Sequence, residues 1–122
     1  MKKILVADDD IMICESMKNI LKTTGVFESD CAFDGEEIMQ KIRQNKYDAV
    51  LLDIALPTMD GYTLLKKIRD IMPSLPVIFL TGTAKADKVV ESVTKYKLNG
   101  FVEKPFNGET VLRILRDVIK VD

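Results

Sequence analysis

Three consecutive carboxylates, Asp8, Asp9 and Asp10, follow directly on the apolar run ILVA at residues 4–7. Like charges side by side repel, so their place at the end of a run suited to a buried strand needs a reason. Other polar groups sit in equivalent places: Asp53 closes DAVLLD, Thr81 follows VIFL, and Lys104 comes just after GFVE. Singly, each has an ordinary explanation. Asp10 before IMICESM suits a helix N-cap, Asp53 a turn, Thr81 a β-branched strand end and Lys104 a solvated surface charge. Together they read as a site. Crowded carboxylates cannot all ionise cheaply, so either one keeps a proton or a cation supplies the missing charge. All-oxygen ligation suits a hard cation, and Mg²⁺ binds through one or two carboxylates while keeping waters. A Lys and a Thr hydroxyl beside such a cation suit a phosphoryl guest, whose oxygens they neutralise and hydrogen-bond. A carboxylate in line with the phosphorus can then act as nucleophile and become an aspartyl phosphate. Asp53, alone on its strand, is placed for that role, which leaves Asp8 and Asp9 for the metal.

The elements that must position these groups follow from periodicity. Short β-type runs at 3–7, 27–33, 48–53, 76–80 and 100–103 alternate with segments at 11–24, 35–45, 60–72, 85–97 and 108–120 whose apolar residues recur at helical spacing. Ile13, Met17 and Ile20 share one helical face, as do Leu64, Ile68 and Ile71, and Val111, Leu115 and Val118. Gly25 reads as the stop of the first helix. Strands alternating with single helices imply parallel pairing, right-handed crossovers and helices on both faces of one sheet. Runs such as AVLL and VIFL suit strands buried on both sides, while the more alternating CAF strand suits an edge. All strand C-termini of a parallel sheet point to one edge, where open α/β sheets bind ligands.

Composition removes other classes of function. The 122 residues make one domain, 1–122, with a net charge of −1, so no global field recruits nucleic acid or an anionic surface. The KKIR (66–69) and RILR (113–116) clusters read as solvated helix faces rather than nucleic-acid contacts. No apolar run approaches a membrane span, and acids follow the N-terminal apolar run too soon for a signal peptide, which implies a cytoplasmic chain. With no His, zinc fingers and Cys-His nucleophiles are excluded, and Cys14 and Cys31 read as buried free thiols.

The four segments ILVADDD, LLDIALPTMDG, VIFLTG and GFVEKPF, in this order, resemble the receiver domain of two-component response regulators over essentially the whole chain. The resemblance implies a flavodoxin-like (βα)5 fold with strand order 2-1-3-4-5. It implies that Asp53 accepts a phosphoryl group from a sensor histidine kinase or histidine phosphotransfer protein, in a Mg²⁺-dependent reaction. Asp9 would bind the metal directly, Asp8 largely through water, Asp53 beside them, and the Ala55 carbonyl would add a further ligand. Thr81 and Lys104 would hold the phosphoryl oxygens, and Gly82 would leave room for them. Thr81 and Phe101 would act as a switch that reshapes the surface formed by the fourth helix, fifth strand and fifth helix for an unnamed effector, with a phosphorylation-dependent dimer as one form of output. The domain would catalyse only its own phosphoryl transfer and dephosphorylation, whether it stands alone or belongs to a longer regulator. A cis Lys104–Pro105 bond is expected on the same ground.

Two positions depart from the family. Lys97 and Leu98 stand where Gly-Ala is common, so the end of the fourth helix is expected to differ, and Asp10 replaces a usual Glu, a change assigned to capping. The rival from another class is a phosphohydrolase using Asp8 as nucleophile, since Asp8-Asp9-Asp10 contains the D-x-D pattern of haloacid-dehalogenase-like enzymes. The short chain and Met12, where those enzymes continue with Thr or Val, argue against it. A binding module independent of phosphorylation is disfavoured by the complete set of site residues.

Overall fold

A computed structural model describes residues 1–56, 59–82 and 86–119, the side chains of Ala86 and Asp87 excepted. Five strands alternate with five helices: β1 (Lys2–Ala7), α1 (Ile11–Lys22), β2 (Phe27–Ala32), α2 (Gly35–Gln44), β3 (Ala49–Asp53), α3 (Gly61–Ile71), β4 (Val77–Thr81), α4 (Ala86–Tyr96), β5 (Gly100–Glu103) and α5 (Gly108–Ile119). The expected helix boundaries at Lys85 and Lys120, and Pro57 and Thr58 of the LLDIALPTMDG segment, lie outside the described residues.

All pairings are parallel, and the sheet order is β2-β1-β3-β4-β5. The CAF strand, β2, does lie at an edge. Alternate residues of the central strands serve two cores. Leu5, Val50, Leu52, Val77 and Phe79 pack against α2 and α3 through Ile38, Ile42, Leu64 and Ile68. Ile4, Val6, Leu51, Ile78 and Leu80 pack against α1 and α5 through Met17, Leu21, Val111 and Leu115. Burial on both faces explains why β3 and β4 are unbroken apolar runs.

The helical faces are rotated slightly from those read in the sequence. The buried stripe of α1 is Cys14, Met17 and Leu21 rather than Ile13, Met17 and Ile20, and Ile71 lies exposed at the end of α3. Cys31 is a free thiol, as expected, but it is only half-buried. α1 also ends before Gly25. The Thr23 and Thr24 hydroxyls donate to the carbonyls of Ile20 and Leu21 at 2.7 Å, closing the helix two residues early, and Gly25 supplies the following left-handed turn with φ of 70°.

Arg69 departs from the solvated reading of KKIR. Its half-buried guanidinium donates to the carbonyls of Tyr96 (2.6 Å), Leu75 (2.6 Å) and Lys97 (3.0 Å), and to Asn99 Oδ1 (3.3 Å). It thereby fastens the end of α3 to the end of α4, while Lys66 and Lys67 stay exposed as expected. The Lys97-Leu98 departure is accommodated locally. Lys97 adopts the left-handed conformation with φ of 56°, at a cost of about 1–2 kcal/mol for a side chain with a Cβ. Leu98, buried in the α2/α3 core, donates its N–H back to the Ser92 carbonyl at 3.0 Å.

Candidate functional site

The four segments singled out in the sequence end at one edge of the sheet. Asp8 directly follows β1, Asp53 ends β3, Thr81 ends β4 and Lys104 follows β5. Backbone bonds carry the ladder past the strand ends: the N–H groups of Asp8, Ile54 and Lys104 donate to the carbonyls of Ala32 (3.1 Å), Leu80 (3.2 Å) and Thr81 (2.7 Å). The functional side chains therefore start from sheet-fixed backbone rather than from free loops, which limits how far each can drift.

Lys104 Nζ joins the two buried carboxylates, 2.8 Å from Asp8 Oδ2 and 3.4 Å from Asp53 Oδ2. Each carboxylate's other oxygen accepts a backbone N–H: Asp8 Oδ1 from Asp10 at 3.0 Å, and Asp53 Oδ1 from Ala55 at 3.1 Å. Asp8 is fully buried and Asp53 is 5% exposed, whereas Asp9 projects into solvent. Carboxylate oxygens of Asp8, Asp9 and Asp53 lie within 4.8 Å of one another. Two acids facing one ammonium leave a deficit of positive charge. Burial, together with the Asp8 charge, lifts the Asp53 carboxyl above its ordinary value against the opposing pull of the Ala55 N–H and Lys104. Burial alone would lower the Lys104 ammonium, but the hydrogen bond from Lys104 to Asp8 and the charges of Asp53 and Asp8 raise it above its usual range.

The donor set tests the fit to a metal. It is all oxygen, negatively charged and open to solvent on the Asp9 side, which suits a hard, partly hydrated cation such as Mg²⁺ and offers no soft ligand for zinc or copper. Asp10 does what its position before α1 suggests, its side chain accepting the Met12 N–H at 2.9 Å as N-cap. Thr81 is buried at the end of β4. A Cβ built on Gly82 would meet nothing within 4 Å, so the space beside Thr81 is open on that side. Phe101 is not a core ring: it is 41% exposed on β5, on the sheet face of its register partner Phe79. The Lys104–Pro105 peptide bond is cis, as expected.

Some supporting contacts were not visible in the sequence. The Ala55 N–H on Asp53 depends on how the chain turns after β3, and no residue type signals it. The Cys14 thiol touches the Asp8 and Val6 carbonyls, each at 3.7 Å, from the buried face of α1. Burial and the adjacent Cys31 thiol push Cys14 well above the ordinary thiol range. Its place four residues past the N-cap Asp10, on the buried face of α1, is the signal that could have placed it there.

A parallel, doubly wound sheet with an acidic crevice at its carboxyl edge puts the molecule among the flavodoxin-like α/β proteins. Within that class the chain belongs to the response regulator receiver domain family, whose profile matches residues 4–116. It is 34% identical over 121 residues to the transcriptional regulatory protein DltR of Streptococcus agalactiae, a match covering 93% of this chain and 50% of that protein. It is 32% identical over 111 residues to the chemotaxis protein CheY-3 of Vibrio cholerae, covering 89% of this chain and 85% of that one. A CheY-like receiver domain structure from Methanospirillum hungatei superposes with a TM-score of 0.91 at 32% identity, covering 98% of this chain and 94% of that one. The chain spans about half the length of several curated relatives it matches, including DltR at 50% and YclJ of Bacillus subtilis at 51%. No helix among the described residues is long and apolar enough to cross a membrane.

Proposed function

We propose that the chain is a phosphoacceptor in which Asp53 takes a phosphoryl group from the phosphohistidine of a histidine kinase or histidine phosphotransfer protein. The observation that carries this reading is the Asp53 carboxylate, buried at the end of a central strand, 3.4 Å from Lys104 Nζ and in reach of the Asp8 and Asp9 oxygens. An Asp53 oxygen attacks phosphorus and forms the new O–P bond. The P–N bond breaks, and its electron pair returns to the imidazole. Lys104 is then positioned to follow the phosphoryl oxygens, and Thr81 to donate a hydrogen bond to another.

Asp8, Asp9, Asp53 and the Ala55 carbonyl are the residues proposed to hold Mg²⁺, with Asp8 acting largely through water. When bound, the cation supplies the positive charge that two buried acids and one ammonium lack. The protein's own work is to orient Asp53 through the Ala55 N–H, to hold Asp8 through Lys104 and the Asp10 N–H, and to exclude water from the nucleophile. Thr81 and Phe101 are proposed to move together, changing the α4, β5 and α5 surface offered to an effector or to a second copy. The domain thus acts on itself, including its own dephosphorylation.

Acetyl phosphate with Mg²⁺ is expected to add one phosphoryl group to the native chain, and Asp53→Asn to abolish it, as read by intact mass. Undiminished labelling of Asp53→Asn would reject Asp53 as acceptor. Labelling that required Asp8 instead, with turnover of a small phosphate ester, would point to the phosphohydrolase reading.

A further inference from the structure

The two cysteines, 17 positions apart in sequence, meet behind the acidic loop. Cys31 is the register partner of Val6 across the parallel β1–β2 pair, so both side chains face the same core. Cys14 belongs to that core, and Cys31 packs against it from its rim. Both side chains therefore lie beside Val6, whose carbonyl Cys14 Sγ touches. Cys14 Sγ sits 3.7 Å from the carbonyls of Val6 and Asp8, so the sulfur in the core that Cys31 rims also touches the peptide from which the acidic loop starts.

We infer that Cys14 and Cys31 form a reversible intramolecular disulfide when the protein meets a peroxide, and that this modification reports to the acidic crevice through Asp8. The chemistry divides by exposure. Cys31 is half-buried and the more accessible, while Cys14 is 1% exposed. The peroxide oxidises the Cys31 thiol to a sulfenic acid and releases one water. The Cys14 thiol then attacks the Cys31 sulfur: the S–S bond forms, the Cys31 S–O bond breaks, and the Cys14 proton leaves with the hydroxyl as the second water. Two thiols are oxidised by two electrons in total, and one peroxide is reduced to two waters.

The coupling follows from the proton that is lost. In the dithiol, Cys14 S–H is a donor within reach of the Asp8 and Val6 carbonyls. In the disulfide the sulfur has no proton, so the Asp8 carbonyl loses that donor, and the chain leading to the buried Asp8 carboxylate shifts. This second part rests on the reading that Asp8 serves the phosphoryl site.

The test uses the full chain treated with hydrogen peroxide and no metal or phosphodonor, followed by alkylation and peptide mapping. A monomer lighter by two hydrogens, with a Cys14–Cys31 linked peptide that dithiothreitol releases, is expected; Cys31→Ser should leave Cys14 as an alkylatable thiol. Over-oxidation of Cys31 with Cys14 still alkylatable, or disulfides only between chains, would overturn the proposal. Backbone amide resonances of Asp8 and Asp9 should move on oxidation of the native chain and stay fixed in treated Cys31→Ser. If the disulfide forms and those amides do not move, the link to Asp8 is wrong. Labelling by acetyl phosphate should slow by roughly threefold on oxidation, the scale of one weak hydrogen bond. Because the disulfide and the amides are read without phosphate, failure of Asp53 labelling would leave the thiol result intact.

Discussion

Gly61 tests whether the backbone beneath the proposed nucleophile is held as tightly as the geometry implies. A Cβ added at Gly61 would stand 2.7 Å from Ile54 Cα and 3.0 Å from the Asp53 carbonyl oxygen. Both are main-chain atoms, so no side-chain rotation relieves the clash. The Gly61 N–H also donates to the Ile54 carbonyl at 2.7 Å, tying the start of α3 to the segment just after Asp53. Gly61→Ala must therefore push α3 away from β3 or displace the chain at residues 53–54. Forced overpacking costs typically about 1–3 kcal/mol, and Gly61 is the first residue of α3, so no helix-interior gain of Ala over Gly offsets it.

Gly82 is the control, because a Cβ there meets nothing within 4 Å and its φ is not in the left-handed region. For a domain of this size, 1 kcal/mol corresponds to about 4 °C in Tm. Gly61→Ala should therefore melt about 4–12 °C lower, while Gly82→Ala should be unchanged or slightly more stable. Acetyl phosphate labelling should fall in Gly61→Ala even well below its Tm, because the Asp53 carbonyl is one of the two contacts. Calorimetry and intact mass decide the matter. Equal Tm values and equal labelling for Gly61→Ala and the native protein would refute the claim that close packing of α3 on β3 sets the position of Asp53.

Three further outcomes follow from the same geometry. Mg²⁺ titration should show Asp9→Ala losing more affinity than Asp8→Ala or Asp10→Ala; if Asp10→Ala is the worst, the capping assignment fails. In metal-free buffer the folded protein binds a proton at Asp53 more tightly than the unfolded chain does. Stability should then fall as pH rises above the ordinary carboxyl value of 3.8 through the raised folded value, and Asp53→Asn should be the more stable protein at pH 7. Urea melts at several pH values check the sign, and an Asn variant less stable at neutral pH would contradict it. Beryllofluoride with Mg²⁺ should shift NMR signals of the Phe101 ring and of α4, since an outward ring 41% exposed has apolar area left to bury; binding at Asp53 without those shifts would remove the switch.

The order of elements was legible because two periods alternate along the chain, and β3 and β4 are apolar enough to need cover on both faces. The convergence of Asp8, Asp53, Thr81 and Lys104 was legible for a related reason: in a parallel sheet the residue ending each run lands on one edge. Contacts made by backbone or across distant segments were not. Nothing in the identity of Ala55 announces an N–H aimed at Asp53. The buried stripe of α1 lies one position from the one its periodicity suggests at Ile13 and Ile20, because Ile13 and Cys14 are neighbours of similar apolarity. Only the depth of Asp8 and Val6 decides that Cys14 faces inward. Arg69 was hidden by its neighbours, because two exposed lysines beside it make the segment look uniformly solvated.

Arg69 also bears on how a change at the crevice can reach a surface. Its described partners include four carbonyls, those of Tyr96, Lys97, Leu75 and Met72, and no carboxylate. A guanidinium keeps its charge even though burial lowers its pKa, so it is solvated by backbone, at the ends of α3 and α4 where helix dipoles are negative. With Leu98 buried and Lys97 holding a left-handed turn, the C-terminal end of α4 is fixed to the sheet on several sides. The Thr81 end of β4 lies at the opposite edge of the sheet from this anchor, on the side of the proposed phosphoryl site. A displacement driven from Thr81 would therefore act on α4 as on an arm fastened at its far end, and the exposed Val90, Val93 and Phe101 lie along the surface that such a motion would re-aim.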